Sequence, residues 1–451
     1  MTTSAPPLFK HQERTIEFLS NNTRTLDFSD PGTAKTRPHI IDANSRRKQG
    51  GGKVLVLAPK TILYPSWGTD IEKFVPELKY IIANADNRKK AFHTEADIYI
   101  TNHDAVRSLI ATPSFLLGFD HIIIDESPAY KHRSSQRSRD LDKLMPQFAV
   151  RRALTGTPNS NSILDIWNQV RLIDDGEHLG NNYWKFRSTV CEPVQVGRGA
   201  NMLQWRDKEG IEDVVAYLIQ DIVIRHKFEE CLDIPANRKR DIPFQLPHEL
   251  YQLYLKFKRD AAIQLETGQV TAVHAAALRT KLLQLLSGAV YDEDRIVHLV
   301  YSDRYELVLD LIKERPASVC AFTWQHQRDE LLRLARRDKI CYGLIDGSVP
   351  SDERNRVVEA FQAGDLQVIF AHPQAAGHGL TLTRGTATIW PSPTSNAEHF
   401  TQFNRRIYRA GQQFETETIL VHAHNTVEND VYARLDNRLD RLDSLLSIFE
   451  I

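Results

Sequence analysis

Leu26-Asp-Phe-Ser-Asp-Pro-Gly-Thr-Ala-Lys-Thr36 is the stretch on which the reading of this chain turns. A short apolar run enters a turn of small residues that ends in Lys35-Thr36, and a helical stretch follows. Gripping a triphosphate takes close backbone approach, N–H groups at a helix start, a lysine for the phosphates and a hydroxyl for Mg²⁺. Asp30, Pro31, Gly32, Thr33, Ala34, Lys35 and Thr36 offer that set, with Thr36 as the metal-side hydroxyl. The strict spacing G-x-x-x-x-G-K-S/T is not met, because Ser29 and Ala34 stand at the glycine positions. On its own the loop also reads as an ordinary strand–turn–helix corner, since Pro-Gly turns are common.

At 451 residues the chain is too long for one core and predicts two domains with an inserted piece. With 41% hydrophobic and 25% charged residues, composition favours neither disorder nor a membrane span. The N-terminus lacks the basic-then-apolar pattern of a signal peptide, so the expected place is the cytoplasm of a bacterium or of a phage-infected bacterial cell. Cys191, Cys231, Cys320 and Cys341 show no CxxC pairing, which predicts free buried thiols and gives no indication of zinc. A net charge of −1 argues against a bulk polyelectrolyte binder but allows a local basic surface, and Arg133, Arg137, Arg139, Arg151, Arg152, Arg405, Arg406 and Arg409 are unevenly placed.

Short apolar runs at 54–58, 98–101, 121–125 and 152–155, and again at 318–323, 343–346, 367–371 and 416–421, fit strands buried on both faces of parallel sheets. Helical stretches such as 353–362 separate them. The expected fold class is therefore α/β, with two parallel-sheet units in series. From about Ser160 to Arg304 strand signals thin out and helical periodicity appears, clearest over 274–286. The expected divisions are 1–165 for a first ATP-binding lobe, 166–300 for a helical insertion and linker, and 301–451 for a second lobe. Tyr251, Tyr254 and Phe257 read as a core-facing stripe, and 197–200 and 50–52 as surface loops.

Ile122-Ile-Ile-Asp125-Glu126 has the form of a Walker B element, with a buried strand delivering Asp125 to its C-terminal end, where open α/β sheets bind ligands. Asp125 is placed to hold Mg²⁺ and Glu126 to polarise the water that attacks the γ-phosphate. Two adjacent acids at a strand end also describe a loop start, and it is the preceding Lys35-Thr36 that favours the chemical reading. Leu154-Thr-Gly-Thr-Pro158 ends another strand with small polar residues suited to sensing a phosphate.

Taken together, these segments resemble a superfamily-two helicase, and within it the Swi/Snf-type DNA-translocase family. Leu8-Phe-Lys-His-Gln12 resembles the adenine-reading segment, with Gln12 the implied base contact. Asp125–His132 is similar to the DEAH segment and its lysine–asparagine extension, and Ile224-Arg-His-Lys227 to the basic stretch before the second lobe. Asp346-Gly-Ser348 and Gly377-His-Gly-Leu-Thr-Leu382 resemble later motifs, with Gly377 and Gly379 on the nucleotide side. The most selective match is Gln402-Phe-Asn-Arg-Arg406-Ile-Tyr-Arg409-Ala-Gly-Gln412 against the family's Q-x-x-x-R-x-x-R-x-G-Q. The resemblance implies two RecA-like lobes, ATP and Mg²⁺ as nucleotide and metal, and double-stranded DNA, forked or branched forms included, as partner.

Arg406 and Arg409, three residues apart, are expected to share a helical face and act on the γ-phosphate as arginine fingers do. The resemblance also implies a strand-tracking groove lined by Lys60, Thr61, Thr101, Asn102, Lys131, Thr323, Trp324, Gly379 and Thr381, whose hydroxyls, N–H groups and cations suit phosphate contacts. Trp67 reads as core, while Trp324 fits core and base-stacking roles alike. Three departures stand out. Ala34 replaces a glycine, Ser127-Pro128 replaces Ala-His and so removes a coupling imidazole, and Asn404-Arg405 replaces a pair with an acid at its second position. The leading reading is a bare two-lobe ATP-dependent motor on duplex DNA. A strand-separating helicase and an ATP-gated DNA clamp with little turnover are the alternatives.

Overall fold

The computed structural model describes residues 6–159, 161–195, 203–231, 234–266, 272–291, 294, 296–376 and 380–449. Two compact units are present: Met1–Pro193 with Trp205–Asp233 and Leu439–Ile451, and Val194–Gln204 with Ile234–Arg438. The middle region 166–300 thus divides between them.

In the first unit, strands β1 (Arg24–Asp27), β2 (Lys53–Ala58), β3 (Tyr80–Ala83), β4 (Ile98–Asn102), β5 (Phe119–Asp125) and β6 (Val150–Leu154) build an all-parallel sheet. β7 (Cys191–Gln195) and β8 (Leu203–Asp207) make a separate two-stranded sheet, and β9 (Val223–Ile224) joins the large sheet, whose order is β3-β4-β2-β5-β6-β1-β9. The runs of apolar residues divide by parity, as a pleated strand requires. Leu55, Leu57, Ile122 and Ile124 enter the core on one face, and Val54, Val56, Ala58 and Ile123 that on the other. Burial on both faces leaves one outlet for chemistry, the C-terminal ends of the strands.

In the second unit, β10 (Asn237–Phe244) is followed by a small hairpin, β11 (Ala289–Tyr291) with β12 (Val297–Leu299). Strands β13 (Ser318–Ala321), β14 (Tyr342–Ile345), β15 (Val368–Ala371), β16 (Ala387–Trp390) and β17 (Thr416–Ala423) complete a parallel sheet in the order β10-β17-β16-β13-β15-β14. The α/β architecture of two parallel-sheet lobes is as the sequence predicts.

Several local expectations need correction. The region 160–304 is not poor in strands: β7 to β12 all lie there. β10 escapes a hydrophobicity reading because it is an edge strand, with Arg238, Lys239 and Arg240 exposed, and charge is what soluble proteins place on such edges. In the helix His248–Glu266 Tyr254 is buried but Phe257 is 45% exposed. Spacing of three drifts around a helix of 3.6 residues per turn, so a third member leaves the buried stripe. The four thiols are free, yet Cys341 is exposed and Cys231 half-buried. The 50–52 turn connects the helix Thr36–Lys48 to β2, whereas 197–200 lies outside the described residues. No helix among the described residues is long and apolar enough to cross a membrane.

Candidate nucleotide-binding site

Strand register sets the site. Leu154 on β6 is the partner both of Asp27 on β1 and of Asp125 on β5, so the two acids end strands flanking β6 at one level. At the usual strand spacing their backbones are roughly 10 Å apart. The loops that follow, 28–35, 126–131 and 155–159, leave the same end of the sheet. Close approach is built in: a Cβ on Gly156 would lie 2.4 Å from Pro31 Cδ, so only glycine lets the β6 loop meet the turn after β1.

The turn after β1 is held from several sides. Gln12 Nε2 donates to Ala34 O at 3.2 Å and His11 Nε2 lies 2.9 Å from Thr33 O. From beyond β9, His226 N donates to Ser29 Oγ, Asp30 N donates to His226 O and Phe228 N donates to Asp30 Oδ2. Arg225 stands 3.6 Å from Asp30. Burial lowers the basicity of both His11 and His226, which favours neutral rings beside the turn. Gly32 (φ 95°) and Ala34 (φ 58°) are both left-handed, so the glycine expected at Ala34 answers a conformational demand that alanine meets under strain. Lys35 Nζ donates to the carbonyls of Ser29 and Asp30, and the helix Thr36–Lys48 begins next. Thr36 Oγ1 lies 3.1 Å from Ser66 Oγ.

Behind the turn, Asp27 accepts from Ser29 N at 2.9 Å and pairs with His39 Nε2 at 3.1 Å. Complete burial pushes its carboxyl up, but the His39 hydrogen bond and charge, with Lys35 and Ser29, outweigh this and hold it down to about 2.

At the end of β5, Asp125 is 8% exposed. Its Oδ2 accepts from Trp67 Nε1 at 2.9 Å and its Oδ1 from Glu126 N at 3.0 Å. Glu126 itself is left-handed (φ 55°), a conformation that costs a non-glycine residue and recurs where a side chain must be aimed. Ser127 Oγ donates to Gln169 Oε1 at 2.6 Å, and Gln169 Nε2 donates to Pro158 O at 2.7 Å. A serine–glutamine relay therefore joins the β5 and β6 loops at Ser127-Pro128.

A family description, SNF2-related domain, matches residues 11–288, and another, Helicase conserved C-terminal domain, matches 303–411. The chain belongs to the SNF2-related family. It is similar to protein p41 of Acyrthosiphon pisum secondary endosymbiont phage 1, at 26% identity over 99% of both chains. It is also similar to the DNA annealing helicase and endonuclease ZRANB3 of Mus musculus, at 23% identity over 95% of this chain and 40% of that protein. Among solved structures, the Sulfolobus solfataricus SWI2/SNF2 ATPase core in complex with dsDNA aligns with a TM-score of 0.45 at 17% identity, over 98% of this chain and 97% of that one. The chain thus spans the whole of the phage protein but less than half of ZRANB3.

In the second unit of this SNF2-related chain, the helix Ala397–Asn404 stops before Arg406 and Arg409, so the two do not share a helical face. They converge nonetheless. Arg406 donates to Gln402 O and Leu380 O, and Arg409 Nη1 donates to Leu380 O at 2.8 Å. Arg405 lies over the Tyr408 ring and Asn404 accepts from Trp390 Nε1. Gly377 and Gly379 lie outside the described residues.

The expected groove residues separate by exposure. Lys60, Thr61, Thr323 and Thr381 are exposed, and Asn102, Lys131 and Trp324 half-buried. Thr101 must be withdrawn as a surface contact: it is wholly buried, and its hydroxyl donates to Ala83 O at 2.6 Å. Lys131 pairs with Asp165 at 3.2 Å, Asn102 accepts from Arg88, and Trp324 stacks on His326. The partners missed from sequence are Ser66, Trp67 and Gln169, which no spacing ties to the motifs; His226 falls within the Ile224–Lys227 stretch and His11 adjoins Gln12, so both were within reach.

Proposed function

We propose that this chain is an ATP-driven motor that moves along double-stranded DNA. The observation that carries the reading is the register that puts the Lys35 turn and the Asp125–Glu126 pair on strands flanking β6. Lys35, now bonded to two carbonyls of its own loop, exchanges them for the β- and γ-phosphates, and the N–H groups from Gly32 to Thr36 follow. Gln12, already seated on Ala34 O, lies beside the adenine. Glu126 orients the attacking water, and Arg406 and Arg409 neutralise charge that develops on the transferring phosphoryl group.

Thr36 and Asp125 fit Mg²⁺: both offer hard oxygens, and the Asp125 carboxylate, at the end of β5, is already oriented by the N–H groups of Trp67 and Glu126. When bound, that ion supplies charge neutralisation at the phosphate oxygens. Lys60, Thr61, Asn102, Lys131, Thr323, Trp324 and Thr381 contact the tracked strand, mostly through phosphates, which makes movement indifferent to base sequence. Work of this kind belongs to replication, recombination, repair or the clearing of obstacles from DNA, in a bacterial or phage-infected cytoplasm.

The test is ATP hydrolysis without nucleic acid and with single-stranded DNA, blunt duplex, forked DNA and RNA, together with displacement of a third strand from a triplex. Blunt duplex should stimulate hydrolysis and the third strand should be displaced, with both lost in Lys35→Ala and Glu126→Gln. Efficient unwinding of plain duplexes would favour a strand-separating helicase, and stimulation by RNA alone would remove the DNA assignment.

A further inference from the structure

The first unit carries an open groove of about 1030 Å³ that begins at Lys131 and His132, the end of the Asp125–His132 segment, and runs on past any motif. Its floor follows the segment after β5 and its wall is the start of the helix Tyr183–Val190. Trp184 stands on that wall with 64% of its surface exposed, among the most open large apolar side chains in the described residues. It is not a loosely hung ring. Asn182 Oδ1 accepts from the backbone N–H groups of Trp184 and Lys185, and Tyr183 meets Trp184 edge-on at 5.4 Å. Arg187 lies between two indoles, 4.5 Å from the Trp184 ring and 4.0 Å from the Trp205 ring. A tryptophan fixed this firmly yet left in water gives up burial that a neighbouring core could supply.

The exposed charge in the groove is mainly positive. Lys131 is neutralised by Asp165 and Asp142 is taken by Arg171. Arg133 and Arg139 also line it and are exposed, Lys143 is exposed with Asp140 3.9 Å away, and the Arg133 guanidinium is oriented by Asn181 O and by the Trp167 ring 5.7 Å away. An exposed, braced indole in one groove with exposed arginines suits a strand whose bases are free to stack and whose phosphates are regularly spaced. A duplex offers such a surface only its phosphates, because its bases already stack on one another.

We propose that this groove is a second nucleic-acid site, which takes an unpaired single strand by stacking a base on Trp184 and holding the adjoining phosphates with Arg133, Arg139 and Lys143. The site adds a preference for DNA with a single-stranded arm or gap, and it does not depend on the motor reading, since binding is read without nucleotide.

The experiment uses the full chain saturated with unlabelled blunt duplex, to which a fluorescently labelled oligothymidylate is added and followed by anisotropy. Wild type should bind the labelled strand, Trp184→Ala should weaken it roughly tenfold, and Trp184→Phe should recover most of the loss. Charge reversal at Arg133 and Arg139 should weaken binding and flatten its salt dependence. Thermal melting of each variant checks its fold. Unchanged binding in Trp184→Ala, or no strand binding by wild type, overturns the site. Displacement of the strand by poly-glutamate as readily as by unlabelled oligothymidylate also overturns it, in favour of an acidic polypeptide. Loss of duplex-stimulated hydrolysis in wild type would instead sink the motor reading and leave this result standing.

Discussion

Trp67 Nε1 donates a hydrogen bond to Asp125 Oδ2 at 2.9 Å, tying the turn after β2 to the acid at the end of β5. Trp67 is fully buried, so it is the core residue that its sequence suggests, and it also fixes the direction in which a candidate metal-binding carboxylate points. A bond to a buried carboxylate contributes about 2 kcal/mol.

Trp67→Phe keeps the ring and deletes the donor. Hydrolysis should fall roughly tenfold and require more Mg²⁺, while the fold survives. Steady-state ATPase measured across a Mg²⁺ titration checks this, and a curve superimposable on wild type would mean that Asp125 needs no such guide.

Ala34→Gly relieves a left-handed alanine, which costs about 1 kcal/mol, but gives the unfolded chain more freedom in return. The melting temperature should hold or rise slightly and turnover should not drop. Thermal melts paired with ATPase rates decide it; a clear loss of activity would show that the Ala34 methyl packs against something the loop needs.

Much of this arrangement was legible beforehand. Buried parallel strands announce themselves as apolar runs, and a lysine–threonine or aspartate–glutamate pair at a strand end is local in sequence. The strain at Ala34 could be anticipated because one residue type normally occupies that turn. What stayed hidden is tertiary. The hold of Trp67 on Asp125 spans 58 positions and that of His226 on Ser29 spans 197, and no periodicity links residues so far apart. β10 was hidden for a different reason, since an edge strand need not be hydrophobic.

Arg406→Ala and Arg409→Ala should each slow hydrolysis about 10³-fold with little change in nucleotide affinity, because the charge they meet develops only in the transition state. The two should differ in stability. Arg406 is buried and satisfies Gln402 O and Leu380 O, so its loss should lower the melting point more. Single-turnover hydrolysis, equilibrium binding of a fluorescent nucleotide and thermal melts separate these effects; normal hydrolysis with weak DNA binding would move both arginines to the groove.

Asp27 links stability to acid. Its carboxyl ionises near 2 in the folded protein against an ordinary value of 3.8, so the folded state is favoured by about 2 kcal/mol above pH 4, and this is lost as pH falls toward 2. Urea midpoints taken stepwise from pH 5 downward should fall more steeply for wild type than for Asp27→Asn. Parallel slopes would show that Asp27 is not held in its ionised form by His39 and Lys35.

The strand β10 also decides where this chain can be cut. The helicase C-terminal match begins at Asp303, which invites isolation of the second lobe from there, yet all eight residues of β10 pair with β17. A fragment starting at Asp303 would bare the N–H and C=O row of β17 along an eight-residue edge whose inward side chains, Ile419 and Val421 among them, belong to the core. Such an edge is a template for a second copy of itself, and the charged residues that guard it in the intact chain would have been discarded with β10. Soluble dissection of the second lobe therefore has to begin upstream of Asn237, well before any helicase motif of that half.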